Sequence, residues 1–264
     1  QCDYLIVEST YGDRLHQNKQ LSEDELLRII KHTCLEKKGK LIIPSFAIGR
    51  TQEIVYILNN FYNEGKLPLI PIYVDSPLAV NATNIFRLHL DLFNKDVAEV
   101  LEHDDDPFGF GTLKYITNVN HSKALNARKE PCIIISASGM MEAGRVKHHI
   151  ANNIDNPKNS ILAIGYCAPT TLGARILRGE KEISIHGMPH QVNAEIFSID
   201  AFSGHADYQE MEQYLRCQNP EKVKKVFIVH GDYEAQVPYS KVLEKAGFKD
   251  IVIPKPGEVF KIKH

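Results

Sequence analysis

Long hydrophobic runs are missing from this chain of 264 residues. A membrane-spanning helix needs roughly 18 to 20 consecutive apolar residues, and the most apolar stretch, 67–80, is interrupted by three prolines and Asp75. Glycine and proline are few, 16 and 13, whereas 43% of the residues are hydrophobic. The composition therefore excludes fibrous and disordered classes, and it predicts a globular chain of one or two domains that does not cross a membrane.

An excess of one charge is equally absent. The 31 basic and 33 acidic residues leave a net charge of −2, so no overall field attracts the chain to nucleic acid or to an anionic membrane. Any contact with a polyanion must therefore depend on a local group of side chains.

Cysteine pairs are also lacking. The five cysteines, at positions 2, 34, 132, 167 and 217, are odd in number and include no C-x-x-C pair. This pattern excludes a disulfide framework and a zinc ribbon, and it predicts reduced thiols in a cytoplasmic protein.

Several common catalytic motifs are missing as well. The chain has no G-x-x-x-x-G-K phosphate loop, and Ser138-Gly139 lacks the preceding glycine of a nucleophile elbow. ATP-driven and serine-hydrolase functions are therefore disfavoured. His186 and His190 have the H-x3-H spacing of a zinc finger without a cysteine pair, which favours ordinary loop residues.

Short β-rich runs alternate with helical patterns, which predicts a parallel α/β sheet. Ser22 and Glu25 predict a capping box at the start of one helix, and the apolar spacing of Thr51–Tyr62 predicts another. The irregular stretch Glu102–Leu125 is interpreted as a surface excursion. The predicted strands are Tyr4–Val7, Lys40–Pro44, Leu69–Val74, Cys132–Ser136, Ile161–Gly165, Ala194–Asp200, Lys225–His230 and Asp250–Ile253.

Unusual loops follow four of these strands, at 44–46, 75–77, 136–140 and 165–169. Ligands of parallel sheets bind outside the carboxyl ends of the strands. The four loops are therefore expected to form one rim that faces a ligand.

One motif, Phe202–Asp207, lies between a predicted strand and a predicted helix. This placement puts His205 near backbone N–H groups that can meet a phosphate. A helix N-cap formed by Ser203 or Asp207 explains the same segment equally well.

Two further side chains stand at strand ends. His230 follows the apolar run 226–229, where β-rich metallohydrolases present a ligand imidazole, although a structural histidine is an even alternative. Glu8 follows the strand Tyr4–Val7 and could, taken alone, be a capping residue.

Together these segments resemble the β-CASP group of the metallo-β-lactamase superfamily, the nucleases related to the mRNA 3′-end processing endonuclease and its bacterial counterparts. The resemblance is ordered and covers essentially the whole chain. Glu8-Ser-Thr-Tyr-Gly is similar to the first acidic motif, Phe-Ser-Gly-His205-Ala-Asp to the second and Val-His230-Gly to the third. Other similar segments are Pro44–Glu53, Asp75–Ala79, Ser136–Arg145 with His148 and His149, and Gly165–Gly173.

The resemblance implies a parallel-sheet β-CASP domain with helices on both faces, over 13–200. It implies the C-terminal portion of a metallo-β-lactamase αββα domain over 201–264, with the strand and first acidic motif of that domain at 1–12. The family's zinc-binding H-x-H-x-D-H pattern lies upstream of the Glu8 segment, and this sequence has no such pattern. Since Gln1 stands where Met would begin a complete chain, we expect a fragment whose N-terminal metal-binding half is missing.

The resemblance also implies roles for three residues. Two zinc ions would serve the full-length enzyme, with His230 as one ligand. His205 would give a proton to the leaving oxygen or stabilise its charge, and Glu8 would orient His205. A single imidazole cannot hold zinc, so we expect this chain alone to be inactive and without zinc.

Part of an RNA groove is expected to remain, with single-stranded RNA as the partner. Its phosphate contacts would come from Arg50, Ser138, Gly139, Arg145, Arg175, Ser203 and Gly204, although each arginine taken singly is more often a surface or ion-pair residue.

His230 favours an RNA-directed enzyme, because DNA-directed relatives typically carry valine at the third motif. The alternatives are a DNA nuclease and a noncatalytic RNA-binding or scaffold subunit, the latter disfavoured by the presence of Glu8, His205 and His230. Exposed apolar surface near Val226–Val229 would also favour self-association.

Overall fold

A computed structural model describes residues 1–16 and 18–262. The strands are β1 (Tyr4–Val7), β2 (Lys40–Pro44), β3 (Ile72–Asp75), β4 (Leu113–Ile116), β5 (Cys132–Ser136), β6 (Ser160–Ile164), β7 (Glu182–Ile185), β8 (Met188–Gln191), β9 (Glu195–Ile199), β10 (Lys225–Ile228) and β11 (Ile251–Val252). The α-helices are α1 (Lys19–Lys31), α2 (Arg50–Asn63), α3 (Pro77–Leu88), α4 (Lys95–Leu101), α5 (Val119–Ala127), α6 (Arg145–Asn153), α7 (Leu172–Leu177), α8 (Tyr208–Leu215) and α9 (Tyr233–Lys245). Within these ranges, each helix is too short or too polar to span a bilayer.

The chain forms two compact units. One comprises Gln1–Gln17 and Ser203–His264, and the other comprises Asn18–Phe202. The boundaries predicted from the sequence are at 13 and at 200.

The larger unit is built on a six-stranded parallel sheet with the order β4-β3-β5-β2-β6-β9. Its central strands β3, β5, β2 and β6 are buried at every position because both faces of the sheet are covered. Leu41 and Ile43 pack with α1 and α2 on one face, and Ile42 packs with α6 and α7 on the other. The predicted parallel sheet with helices on both faces is confirmed.

Four neighbouring strands of this sheet, β3, β5, β2 and β6, bring their following loops to the same edge. Because all four strands are parallel, their carboxyl ends point the same way. These are the four loops that the sequence predicts to form a rim, so the rim is present as a row of adjacent loops.

Two local predictions in this unit are wrong. The stretch Glu102–Leu125 is not a surface excursion, because it supplies β4 and most of α5 and buries Phe108 to 2% exposure. The first helix begins before Ser22, and its N-cap is Asn18, whose side chain accepts from the N–H groups of Gln20 and Leu21. Ser22 is instead a buried residue that donates its hydroxyl to the Asn18 carbonyl.

The smaller unit contains a parallel sheet with the order β1-β10-β11. Buried side chains of β10, α8 and α9 form its core, among them Ile228, Met211 and Leu243. Val226 and Ile228 are fully buried because β10 is the central strand, so the expected apolar surface near Val226–Val229 does not come from these side chains, and the self-association stays a prediction. Ile6 on the edge strand β1 is 74% exposed instead.

Candidate active site

Glu8 and His230 come together because they follow adjacent parallel strands. The Val229 N–H donates to the Val7 carbonyl at 2.9 Å, which continues the pairing of β1 with β10 beyond the strand ends. His230 has a φ of +52°, a left-handed conformation that is costly for a residue with a side chain. Gly231 then passes so close to Ser9 that a Cβ would lie 2.5 Å from the Ser9 carbonyl oxygen. Local backbone geometry therefore turns the His230 side chain out of the strand end.

His205 is placed by the start of α8. Asp207 caps this helix by accepting from the N–H groups of Gln209 and Glu210, and the Glu210 carboxylate accepts from the Asp207 N–H. Burial opposes ionisation of Asp207, but these N–H groups and that of His16 outweigh it and hold the pKa of Asp207 below its usual value. The capping interpretation of Asp207 is thus confirmed, and the cap fixes the backbone two residues after His205.

Glu8, His205 and His230 form one cluster with Thr10. The Nδ1 atom of His205 lies 2.7 Å from Glu8 Oε2, a hydrogen bond in which the ring donates because a carboxylate accepts. Thr10 Oγ1 lies 2.8 Å from the same carboxylate oxygen and 3.2 Å from His230 Nδ1. The two imidazole rings are 5.0 Å apart between centroids. Both rings thus have Nδ1 turned toward the Glu8–Thr10 side, which leaves their Nε2 atoms for ligand or substrate.

The side chains of this cluster can supply one zinc ligand, His230, but not the three or four that a complete zinc site needs. Glu8, His205 and His230 each offer a donor atom, and these atoms lie within 4.8 Å of one another. His230 is 65% exposed, and its Nδ1 atom is oriented by Thr10, as the second ring nitrogen of a metal-binding histidine usually is. Zinc needs three or four protein ligands, whereas Glu8 Oε2 and His205 Nδ1 are already bonded to each other.

A cavity of about 630 Å³ adjoins the cluster within the smaller unit. Glu8, Ser203, Gly204 and His205 line it together with Tyr214. Two of the predicted phosphate-binding residues, Ser203 and Gly204, therefore share a cavity with the acid–imidazole pair.

The predicted arginines of the larger unit are each engaged in an ion pair. Arg50 is paired with Glu53, and its guanidinium lies 6.0 Å from the centroid of the Phe202 ring. Arg175 Nη2 lies 2.8 Å from Glu180. The contact with RNA that the sequence predicts for these arginines stays a prediction.

The loop after β5 holds two further predicted residues of that unit. Ser138 Oγ lies 3.3 Å from the Ala143 carbonyl oxygen, which keeps its hydroxyl within the loop. A Cβ on Gly139 would lie 2.9 Å from the Phe46 ring, so glycine lets this loop approach the loop that follows β2. Their predicted contacts with phosphate also stay predictions.

Arg145 belongs to a buried network centred on Asp75, which sequence reasoning missed. Asp75 is fully buried and accepts from Arg145 Nη1 at 2.6 Å, His149 Nε2 at 2.6 Å and Ser122 Oγ at 2.5 Å. Burial opposes ionisation of Asp75, but the hydrogen bonds from His149, Ser122 and Arg145 outweigh it and lower its pKa. The available signal was the carboxylate itself, since an aspartate at the end of a buried strand needs charged partners.

The smaller unit therefore places an imidazole that is hydrogen-bonded to a carboxylate beside a second, exposed imidazole. Such an arrangement is chemically able to transfer a proton and to contribute one metal ligand. Two family models match the chain. Residues 51–176 match the Beta-Casp domain, and residues 189–254 match the Zn-dependent metallo-hydrolase RNA specificity domain. The chain belongs to the β-CASP group of the metallo-β-lactamase superfamily.

Its relatives include proteins of RNA metabolism. The chain is 32% identical over 257 residues to "Ribonuclease TTHA0252" of Thermus thermophilus, covering 97% of this chain and 57% of the relative. It is 33% identical to an "RNase J-like protein" of Methanocaldococcus jannaschii, covering 99% and 60%. It is 30% identical to "Transcription termination factor FttA" of the same organism, covering 98% and 42%. The chain thus spans less than two thirds of the length of these relatives.

Proposed function

We propose that this chain forms part of a zinc-dependent ribonuclease that hydrolyses RNA phosphodiester bonds in RNA processing or decay. The observation that carries the proposal is the 2.7 Å bond between Glu8 and His205 beside the exposed ring of His230. An RNA substrate is supported by the match to an RNA specificity domain and by the ribonuclease named among the relatives. The intact Glu8–His205 bond disfavours the noncatalytic alternative.

In this function His205 handles the proton of the leaving group. Glu8 holds the ring through Nδ1, so Nε2 is the atom that gives a proton to the leaving oxygen or stabilises its charge. The Thr10 hydroxyl contacts both the Glu8 carboxylate and the His230 ring and so fixes their positions relative to each other. His230 would contribute one ligand through Nε2, and zinc, when bound, would polarise the scissile phosphate.

The chain alone is proposed to bind RNA without cleaving it. Over the described residues, Glu8, His205 and His230 form the one cluster able to hold a metal, and the bond between Glu8 and His205 leaves a single uncommitted imidazole. That donor set is too small to hold zinc at useful affinity, since structural and catalytic sites use three or four protein ligands.

The test is a binding and cleavage assay on end-labelled single-stranded RNA with added zinc, with His230→Ala as the matched variant. We expect retention of RNA and no cleavage by either protein. Cleavage that is lost in His230→Ala would mean that a working metal site forms in this chain and would overturn the proposed inactivity. Absence of both binding and cleavage would contradict the proposed RNA-binding role.

A further inference from the structure

A second cavity, of about 430 Å³, lies in the larger unit between α5 and α6. Its size falls within the range of about 300 to 1,000 Å³ that is usual for small-ligand sites. Lys123, Arg145 and His148 contribute to its wall, and none of the described side chains that line it is a carboxylate. In a chain with a net charge of −2, this is a local concentration of basic groups that favours an anion.

Arg145 is a rigid donor in this wall. Its Nη1 atom donates to Asp75 and to the Ile116 carbonyl, and its Nη2 atom donates to the Thr117 carbonyl at 2.5 Å. A guanidinium has five N–H donors, so these three bonds leave two for a ligand. Because Asp75 neutralises Arg145, the exposed side chain of Lys123 supplies the uncompensated charge of the cavity.

The amide side chains of the wall are positioned for hydrogen bonding. Asn126 Oδ1 lies 2.7 Å from Nδ1 of His149, a ring that is itself held by Asp75. This contact engages the oxygen of Asn126 and leaves its amide nitrogen for another acceptor. Asn152 donates to the His148 carbonyl at 2.8 Å, which leaves its side-chain oxygen as an acceptor at the same cavity.

A flat aromatic surface completes the cavity. The His148 ring stacks on the His186 ring with centroids 4.5 Å apart and planes inclined by 19°. Burial together with the nearby His148, Lys147 and His190 lowers the pKa of His186, which favours a neutral ring that stacks without charge repulsion. His186 supports the His148 ring from one side, so the opposite face of His148 can take a base.

We infer that this cavity binds a nucleotide, with its phosphate on Lys123 and Arg145 and its base stacked on His148. The inference rests on the proposed function in that the expected source of the nucleotide is single-stranded RNA. The cavity lies wholly within the unit Asn18–Phe202, whereas Glu8, His205 and His230 belong to the other unit. It is therefore a binding site additional to the catalytic cluster.

Fluorescence anisotropy of a labelled single-stranded RNA oligonucleotide, measured over a range of salt concentrations, tests this site. We expect Lys123→Ala to raise Kd about fivefold and to reduce the slope of log Kd against log salt by about 0.7, the value for one phosphate contact on a single strand. His148→Ala is expected to raise Kd about tenfold, and His148→Phe to restore binding because phenylalanine also stacks. Lys158→Ala removes the same charge from an exposed lysine outside the cavity and should leave Kd unchanged.

The outcomes separate this inference from the proposed function. If all variants bind RNA as tightly as the unchanged chain, the cavity does not bind RNA and the inference is wrong, while RNA binding by the chain stands. If the unchanged chain does not bind RNA, the proposed RNA-binding role is wrong, and a titration with nucleoside monophosphates then decides the inference. Binding of a monophosphate that Lys123→Ala removes would support a free-nucleotide site, and no binding would overturn it.

Discussion

Replacing Asp75 by asparagine tests whether the buried network holds the larger unit together. The carboxylate uses Oδ1 for Arg145 and Oδ2 for His149 and Ser122. An asparagine amide nitrogen at the first position would face the Arg145 guanidinium, donor against donor. At the second position it would face the Nε2–H donor of His149, again donor against donor. In either orientation Arg145 loses its counter-ion.

The expected loss follows from the burial of the pair. Removing one partner of a buried ion pair costs about 3 to 5 kcal/mol, because the other charge stays buried and unpaired. The Arg145 side chain is 18% exposed and so keeps part of its hydration, which places the expected loss for Asp75→Asn near the lower limit, about 3 kcal/mol. With a urea dependence of about 1 to 3 kcal/mol per molar, the unfolding midpoint should fall by about 1 to 3 M.

Urea unfolding followed by far-ultraviolet circular dichroism measures this change. Asp155→Asn is the matched control, because its carboxylate is 51% exposed in its contact with His190 and should contribute less than about 1 kcal/mol. Since the folded-state pKa of Asp75 is lowered from 3.8, its stabilising effect is present above about pH 4 and lost as the pH falls further. A midpoint for Asp75→Asn equal to that of Asp155→Asn would refute the reasoning.

Two other predictions concern titratable groups of the chain. Burial raises the pKa of the Cys34 thiol to about 12. A thiol reagent at pH 8 should therefore label the exposed Cys217 quickly and should label Cys34 only as fast as the chain unfolds. Equal labelling rates for the two thiols would contradict the burial of Cys34. The hydrogen bond from His32 Nδ1 to Glu36 raises the pKa of His32 above 6.5, and so does the bond from its Nε2 atom to Glu195. The stabilising effect of protonated His32 is therefore present below pH 6.5 and is lost as the pH rises through the folded-state pKa. His32→Gln should flatten the pH dependence of the urea unfolding midpoint above pH 6.5. An unchanged pH profile would count against this hydrogen-bond network.

The buried strands of the fold were predictable from sequence, and the half-exposed ones were not. Lys40–Pro44 and Cys132–Ser136 have the predicted bounds because a strand covered on both faces is a continuous apolar run. Leu113–Ile116 is an edge strand with only its last residue buried, so its sequence lacks that signal. The start of α1 was misplaced because polar residues before Ser22 join the helix, which a capping-box pattern does not reveal.

The cluster of Glu8, His205 and His230 was predictable from the motifs that resemble the β-CASP group, whereas each residue taken singly had an equally good structural explanation. Glu8 and His230 follow apolar runs, and His205 precedes a helix with its own capping box. The partners of Arg145 had no such signature, since its bond to Asp75 joins residues 70 positions apart. Which arginine pairs with a carboxylate and which remains open to a ligand depends on the three-dimensional arrangement, so sequence reasoning assigned the same role to Arg50, Arg145 and Arg175.

The most direct test of the central claim separates the proton-transfer residue from the metal ligand in the full-length gene product. Hydrolysis of single-stranded RNA, bound zinc and RNA affinity would be measured for the unchanged protein, His205→Gln and His230→Gln. We predict that His205→Gln lowers kcat by about 10²- to 10⁴-fold with zinc content and RNA affinity unchanged, whereas His230→Gln loses bound zinc. Full activity in His205→Gln, or loss of zinc from both variants alike, would contradict the assigned roles.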